Sequence, residues 1–225
     1  MCAVGGTRGG LVPAWFGSLP PLGVELVWLF WAVPAGDEAC AQLDLVKLSG
    51  KRWITELRAL GMDGELLIKR GQAGPWLTAL ARACRADLVV AGPPAVAGRE
   101  SRTLTDLLMR LNCALLLLPA TGAPERELLA RPLVNTEGSA ESAALVDAWT
   151  AGRPERTLLR LGRLSSERAG RAAVRAAIEL DATALVMAAP APAVALYVLQ
   201  HGTIPILLAP PHPRFGVPAP RDVAP

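Results

Sequence analysis

Short runs of apolar residues, bounded by proline, glycine or charge, recur along the whole chain and limit the folds open to it. They are Val24–Val33, Leu66–Lys69, Asp87–Ala91 and Ala114–Leu118, then Pro132–Asn135, Thr157–Leu161, Ala184–Ala188 and Pro205–Ala209, with Cys2–Val4 as a short strand at the start. A strand with one wet face alternates apolar and polar residues. A run that stays apolar is a strand covered on both faces, the environment of a parallel sheet between helices. The stretches between the runs supply those helices. Asp37–Leu60 has helical spacing, broken or bent near Gly50. Pro75–Arg85 places Pro75 in the first turn, where its missing N–H does no harm. Ser101–Leu111 has Ser101 or Thr103 to cap its start, and Ser139 caps Ser139–Thr150. Ser166–Leu180 and Ala193–Gln200 complete the set. Strands and helices alternating at this spacing predict an α/β fold with a parallel sheet.

The 225 residues are 52% hydrophobic and 19% charged, which excludes a disordered chain and supports a large core. A net charge of +3 does not mark a nucleic-acid binder. The segment Ala182–Pro213 carries no formal charge and is long enough to cross a bilayer, but Pro190, Pro192, Gly202 and Pro205 cut it into short pieces. Val24–Val33 is too short and carries Glu25, so no membrane span is expected. The N-terminus, with one Arg8 and several prolines, reads as lacking a signal peptide. Cys2, Cys40, Cys84 and Cys113 are far apart, with no histidine pair nearby; they read as reduced thiols of a cytoplasmic protein, not as zinc ligands or disulfides. The two histidines, His201 and His212, sit in a charge-free, proline-rich stretch and leave little room for a histidine base with an acidic orienter. No catalytic or metal-binding set emerges, and the chain reads as a non-enzyme.

The second half repeats the plan of the first in shortened form. "ADLVVAGPP", a helix and "CALLLLP" are answered by "DATALVMAAP", a helix and "IPILLAP". This divides the chain into a first domain at 1–120, a linker at 121–131, a second, shorter domain at 132–210 and a proline-rich tail at 211–225.

Taken in order, these segments resemble the universal stress protein family, in a tandem form with two such domains in one chain. Asp87–Gly92 with Cys113–Pro119, and Ala184–Ala188 with Ile204–Pro210, match the family's closing strand–loop–helix–strand pattern. "GVELVWLFWAVP" is similar to its second strand, and "LVNTEGSAESAAL" to its opening strand and the turn into the first helix. The resemblance implies two Rossmann-like (adenine nucleotide alpha hydrolase-like) domains, the second lacking a helix and one strand, paired internally as a pseudo-dimer. Many members bind ATP through a G-x-x-G, spacer, G-[ST] loop after the fourth strand, where glycines admit phosphate to the backbone. Here the loop opens at Gly92, but Ala95 stands at the second glycine and Thr105 and Asp106 at the final pair. A shortened loop would use Ser101 and Thr103, with Arg99 and Arg102 adding charge. The second loop, Ala189–Pro192, has neither glycine nor cation, and Glu137 is the best match to the family's adenine-contacting acid. The glycine-rich run Gly5–Gly10 reads as a flexible turn.

The expectation is therefore a non-enzymatic sensor, binder or scaffold with a degraded ATP site and no cofactor, serving an unidentified protein partner or small ligand. It pairs internally and is open to homodimer formation. Two alternatives stand beside it. One is a nucleotide binder using Gly92, Ser101 and Thr103. The other is an interaction module docking an acidic partner through Arg153, Arg156, Arg160, Arg163, Arg168, Arg171 and Arg175, of which Arg168, Arg171 and Arg175 share a helical face. Trp28 and Trp31 are expected to fill the core, and Trp15 with Phe16 to cap the sheet or form an exposed apolar contact.

Overall fold

The computed structural model describes residues 2–5, 15, 17, 25–33, 39–70, 73–92, 107, 110–119, 127–162, 164–188 and 192–210. In chain order its elements are β1 (Cys2–Gly5), β2 (Leu26–Val33), α1 (Ala39–Ala59), β3 (Asp63–Arg70), α2 (Ala73–Ala83), β4 (Leu88–Ala91) and β5 (Ala114–Leu117). They continue with β6 (Pro132–Asn135), α3 (Ala140–Thr150), β7 (Thr157–Leu158), α4 (Ser166–Glu179), β8 (Ala184–Ala188), α5 (Pro192–His201) and β9 (Ile206–Ala209). Every apolar run named above forms a strand.

The strands make one nine-stranded sheet in the order β3-β2-β1-β4-β5-β9-β8-β6-β7. Neighbours are parallel throughout except at β5–β9, where Leu115 faces Leu208, Leu116 faces Leu207 and Leu117 faces Ile206 in antiparallel register. The sheet is thus undivided, and its polarity reverses once, between two strands buried at every position. Edge-to-edge pairing hides both strand edges from solvent. Between β2 and β4 the chain makes helix, strand, helix (α1, β3, α2); between β7 and β8 it makes α4 alone. Among the described residues β7 forms the outer edge of the sheet on that side.

Side chains alternate across the pleat. One set, including Phe30, Val89, Leu115, Leu185 and Leu208, packs under α2, α4 and α5, while Val27, Leu29, Leu116, Val134 and Leu207 pack under α1 and α3. The result is three layers with helices on both faces, an α/β fold with a predominantly parallel sheet.

Several boundaries differ from the sequence expectation. The helix anticipated to break near Gly50 runs unbroken through it. Gly50 is buried against β3, where a Cβ would stand 2.4 Å from a methyl carbon of Leu66. The glycine permits this close helix–strand approach. β3 extends beyond Leu66–Lys69 at both ends because it pairs with β2 over eight residues. The seventh strand stops at Leu158, short of Leu161. Trp15 is buried with the α1-side core, Trp28 is partly buried on the opposite face, and Phe16 and the Trp31 side chain lie outside the described residues. No helix among the described residues is long and apolar enough to cross a membrane.

Candidate functional site

In open α/β sheets, ligands sit at the carboxyl ends of the strands, in the crevice where strand order reverses. The second half has such a rim where β6 and β8 end. β6 closes on Asn135, a buried polar residue after three apolar ones. Its amide nitrogen donates to Glu137 Oε2 (2.9 Å) and to the Leu159 carbonyl (3.1 Å), and its Oδ1 accepts the Glu137 N–H (3.2 Å). The Glu137 carboxylate also accepts the N–H groups of Leu161 (3.0 Å) and Gly162, the latter 2.9 Å from one oxygen and 3.0 Å from the other. Gly162 has φ +57°, the left-handed geometry that lets successive N–H groups converge on one anion.

The same rim is closed from two other directions. A Cβ on Gly138 would stand 2.8 Å from the Ala188 carbonyl oxygen at the end of β8. Ser139 caps α3 by accepting the Ser142 N–H (3.2 Å), and the Ser142 hydroxyl donates to the Pro210 carbonyl (2.6 Å) just past β9. The carboxyl ends of β6, β8 and β9 are thereby tied to the chain's own groups. The capping role expected for Ser139 is the one it performs.

Hydrogen bonding by Asn135 first, and then by the Gly162 N–H, holds the Glu137 carboxyl below its ordinary value; burial opposes this, and the Leu161 N–H and the Arg160 charge add smaller lowering effects. A carboxylate with a depressed folded-state pKa adds stability at pH above its unfolded value and loses that contribution as pH falls through the folded value. Wild type is therefore expected to exceed Glu137→Gln in urea midpoint by a constant margin above the ordinary 4.5, and the margin should shrink below it. A margin independent of pH down to unfolding would show that the charge plays no part.

In the first half, Gly92 is buried directly after β4, whose neighbours are β1 and β5. This is the point where strand order reverses. Ser101 and Thr103, with Ala95, Arg99, Arg102, Thr105, Asp106 and the run Gly6–Gly10, lie outside the described residues. Gly92 is thus placed at the expected rim, without its two proposed companions.

The arginine-rich region is more balanced than its sequence window suggests. Arg153 pairs with Glu127 (2.8 Å), Arg156 with Asp147, Arg171 with Glu167 (2.8 Å) and Arg175 with Glu179 (2.7 Å). Three of those four carboxylates lie outside Arg153–Arg175, so counting charge inside the window overstated the excess. A groove of about 340 Å³ opens at the amino ends of β6 and β7, with Arg131, Glu155 and Arg156 on its walls. Arg131 pairs with Asp181 and lies 3.6 Å from Glu155, so this groove is internally neutralised as well. Among the described residues no cluster of His, Cys, Asp and Glu has the makings of a metal site.

The three-dimensional arrangement has counterparts. The structure of a universal stress protein from Archaeoglobus fulgidus superposes with a TM-score of 0.71 at 11% identity, covering 93% of this chain and 96% of that one. The fold is that of the universal stress proteins. Two Pseudomonas aeruginosa structures superpose on this chain less closely. One is of a functionally unknown protein (TM-score 0.56, 15% identity, 93% and 92% covered). The other was solved as a candidate universal stress protein (TM-score 0.54, 16% identity, 93% and 91% covered). No protein-family model and no curated protein matches the sequence.

The sequence singled out Glu137 but not its partners. Leu161 and Gly162 lie 24 and 25 residues away, and the pattern carries no sign of that closure. The one available signal was Asn135, a polar residue ending an otherwise apolar strand.

Proposed function

We propose that this chain is a non-enzymatic, universal-stress-like binder or scaffold of the cytoplasm, built from a duplicated unit at 1–120 and 132–210, whose second half no longer takes a nucleotide. The observation that carries this reading is the Glu137 carboxylate, held by Asn135, Leu161 and Gly162 at the rim where the resemblance would set it against adenine. The glycine-free, cation-free stretch Ala189–Pro192 after β8 supports it, because a polyphosphate needs backbone N–H groups or positive charge. The antiparallel β5–β9 seam supports the scaffold role: each half covers the other's edge, as a pair of separate subunits would.

A second reading keeps a ligand in the first half. Gly92, buried at the reversal point beside β1, favours it, with Ser101 and Thr103 as the remaining donors of a shortened loop. Thermal unfolding with ATP, ADP and cyclic nucleotides tests both. The first reading expects no change in Tm at millimolar nucleotide, since a ligand specific to the folded state raises it with concentration. A saturable rise, matched by micromolar ATP in equilibrium dialysis, would replace the first reading with the second. The docking of an acidic partner through Arg153–Arg175 is the weakest reading, given the carboxylates that already pair Arg153, Arg156, Arg171 and Arg175.

A further inference from the structure

We propose that the Leu161–Gly162 turn is an oxyanion-binding site which the chain keeps filled with its own Glu137, so that small carboxylates or phosphate monoesters enter only when that side chain withdraws. The inference rests on the reading that no nucleotide occupies the second half.

The site has the parts that an anion needs. Two consecutive N–H groups, shaped by the positive φ of Gly162, and the Asn135 amide converge on one carboxylate within 2.9–3.0 Å. Asn135 is itself buried and fixed by the Leu159 carbonyl and the Glu137 N–H, so one donor is oriented before any anion arrives. The occupant is different in kind. Glu137 is exposed at the rim, so moving its side chain into water opens no part of the core. An external oxyanion therefore competes with a neighbour that can swing out into water, and not with a packed core residue. The positive charge of Arg160, which already acts on Glu137, would act equally on a replacement.

The test is chemical rescue. Wild type, Glu137→Ala and Glu137→Gln are melted in acetate, in inorganic phosphate and in chloride, each at a matched ionic strength of about 0.1 M so that general screening cancels. Glu137→Ala is expected to melt lower than wild type in chloride and to regain about 2–4 °C in acetate or phosphate, with wild type indifferent to the anion. The larger of the two gains identifies the preferred oxyanion. Glu137→Gln retains an acceptor oxygen and should gain less than the alanine variant. Equal responses of wild type and Glu137→Ala to all three salts would overturn the proposal. If Glu137→Ala fails to fold, amide exchange of Leu161 and Gly162 in Glu137→Gln decides instead. Those two amides should exchange faster than in wild type in chloride and regain protection in acetate, and unchanged exchange would overturn the proposal. Stabilisation of wild type by ATP would count against the nucleotide-free reading, whereas absence of rescue counts against the oxyanion site alone.

Discussion

Leu116→Ala is expected to lower the unfolding free energy by about 3–4 kcal/mol, the range for a fully buried leucine whose surroundings collapse only partly into the space left. Leu116 is fully buried at the centre of β5 and faces Leu207 of β9 across the one antiparallel seam. Both side chains belong to the core under α1 and α3, so truncation empties the layer that joins the halves and not the interior of either. Because the sheet is continuous, the loss should appear in a single cooperative urea transition. The paired variant Leu116→Ala/Leu207→Ala should fall short of the sum of its parts, since the two residues are direct neighbours. A loss under about 1 kcal/mol for Leu116→Ala would mean that the seam is not packed as described.

Asn135→Ala is the second large effect expected, at about 2–3 kcal/mol. The residue is 2% exposed and serves three groups: the Glu137 carboxylate, the Leu159 carbonyl and the Glu137 N–H. Removing it leaves polar atoms without partners in a partly buried setting, which costs more than the net value of the bonds themselves. The coupling to Glu137 is the more telling measurement. In the double variant, Glu137→Ala should cost distinctly less than in the wild-type background, because one of the three donors to its carboxylate is already gone. Strict additivity in the urea-derived free energies would separate the two residues and dissolve the network.

Much of the architecture was legible because burial leaves a mark on every residue of a strand. "LVVA", "ALLL", "ALVMA" and "ILLA" are apolar at each position, and each is a strand buried on both faces. What decides which strand lies beside which is non-local. Nothing in "LLLLP" or "ILLAP" states that they meet each other, or that they meet head to tail. The helix passes unbroken through Gly50 for a related reason: that residue sits against Leu66 on a neighbouring strand, and local propensity registers only a weak helix former. The candidate site followed the same division. The acid at 137 stood out through the resemblance to the family's opening strand and turn, while the N–H groups it binds are brought to it by the turn after β7. The partners of the arginines were less legible: Glu179, which pairs with Arg175, lies just beyond Arg153–Arg175, and Glu127 and Asp147, which pair with Arg153 and Arg156, come from elsewhere in the fold.

The reversal between β5 and β9 makes the molecule bipolar. The strands β1–β5 end at one pole, beside Gly92, and β6–β9 end at the other, beside Glu137. The groove walled by Arg131 and Arg156, at the starting ends of β6 and β7, shares the Gly92 pole. The two rims therefore lie on opposite sides of the sheet. They are separated by the length of a strand, roughly 3.3 Å for each residue along it.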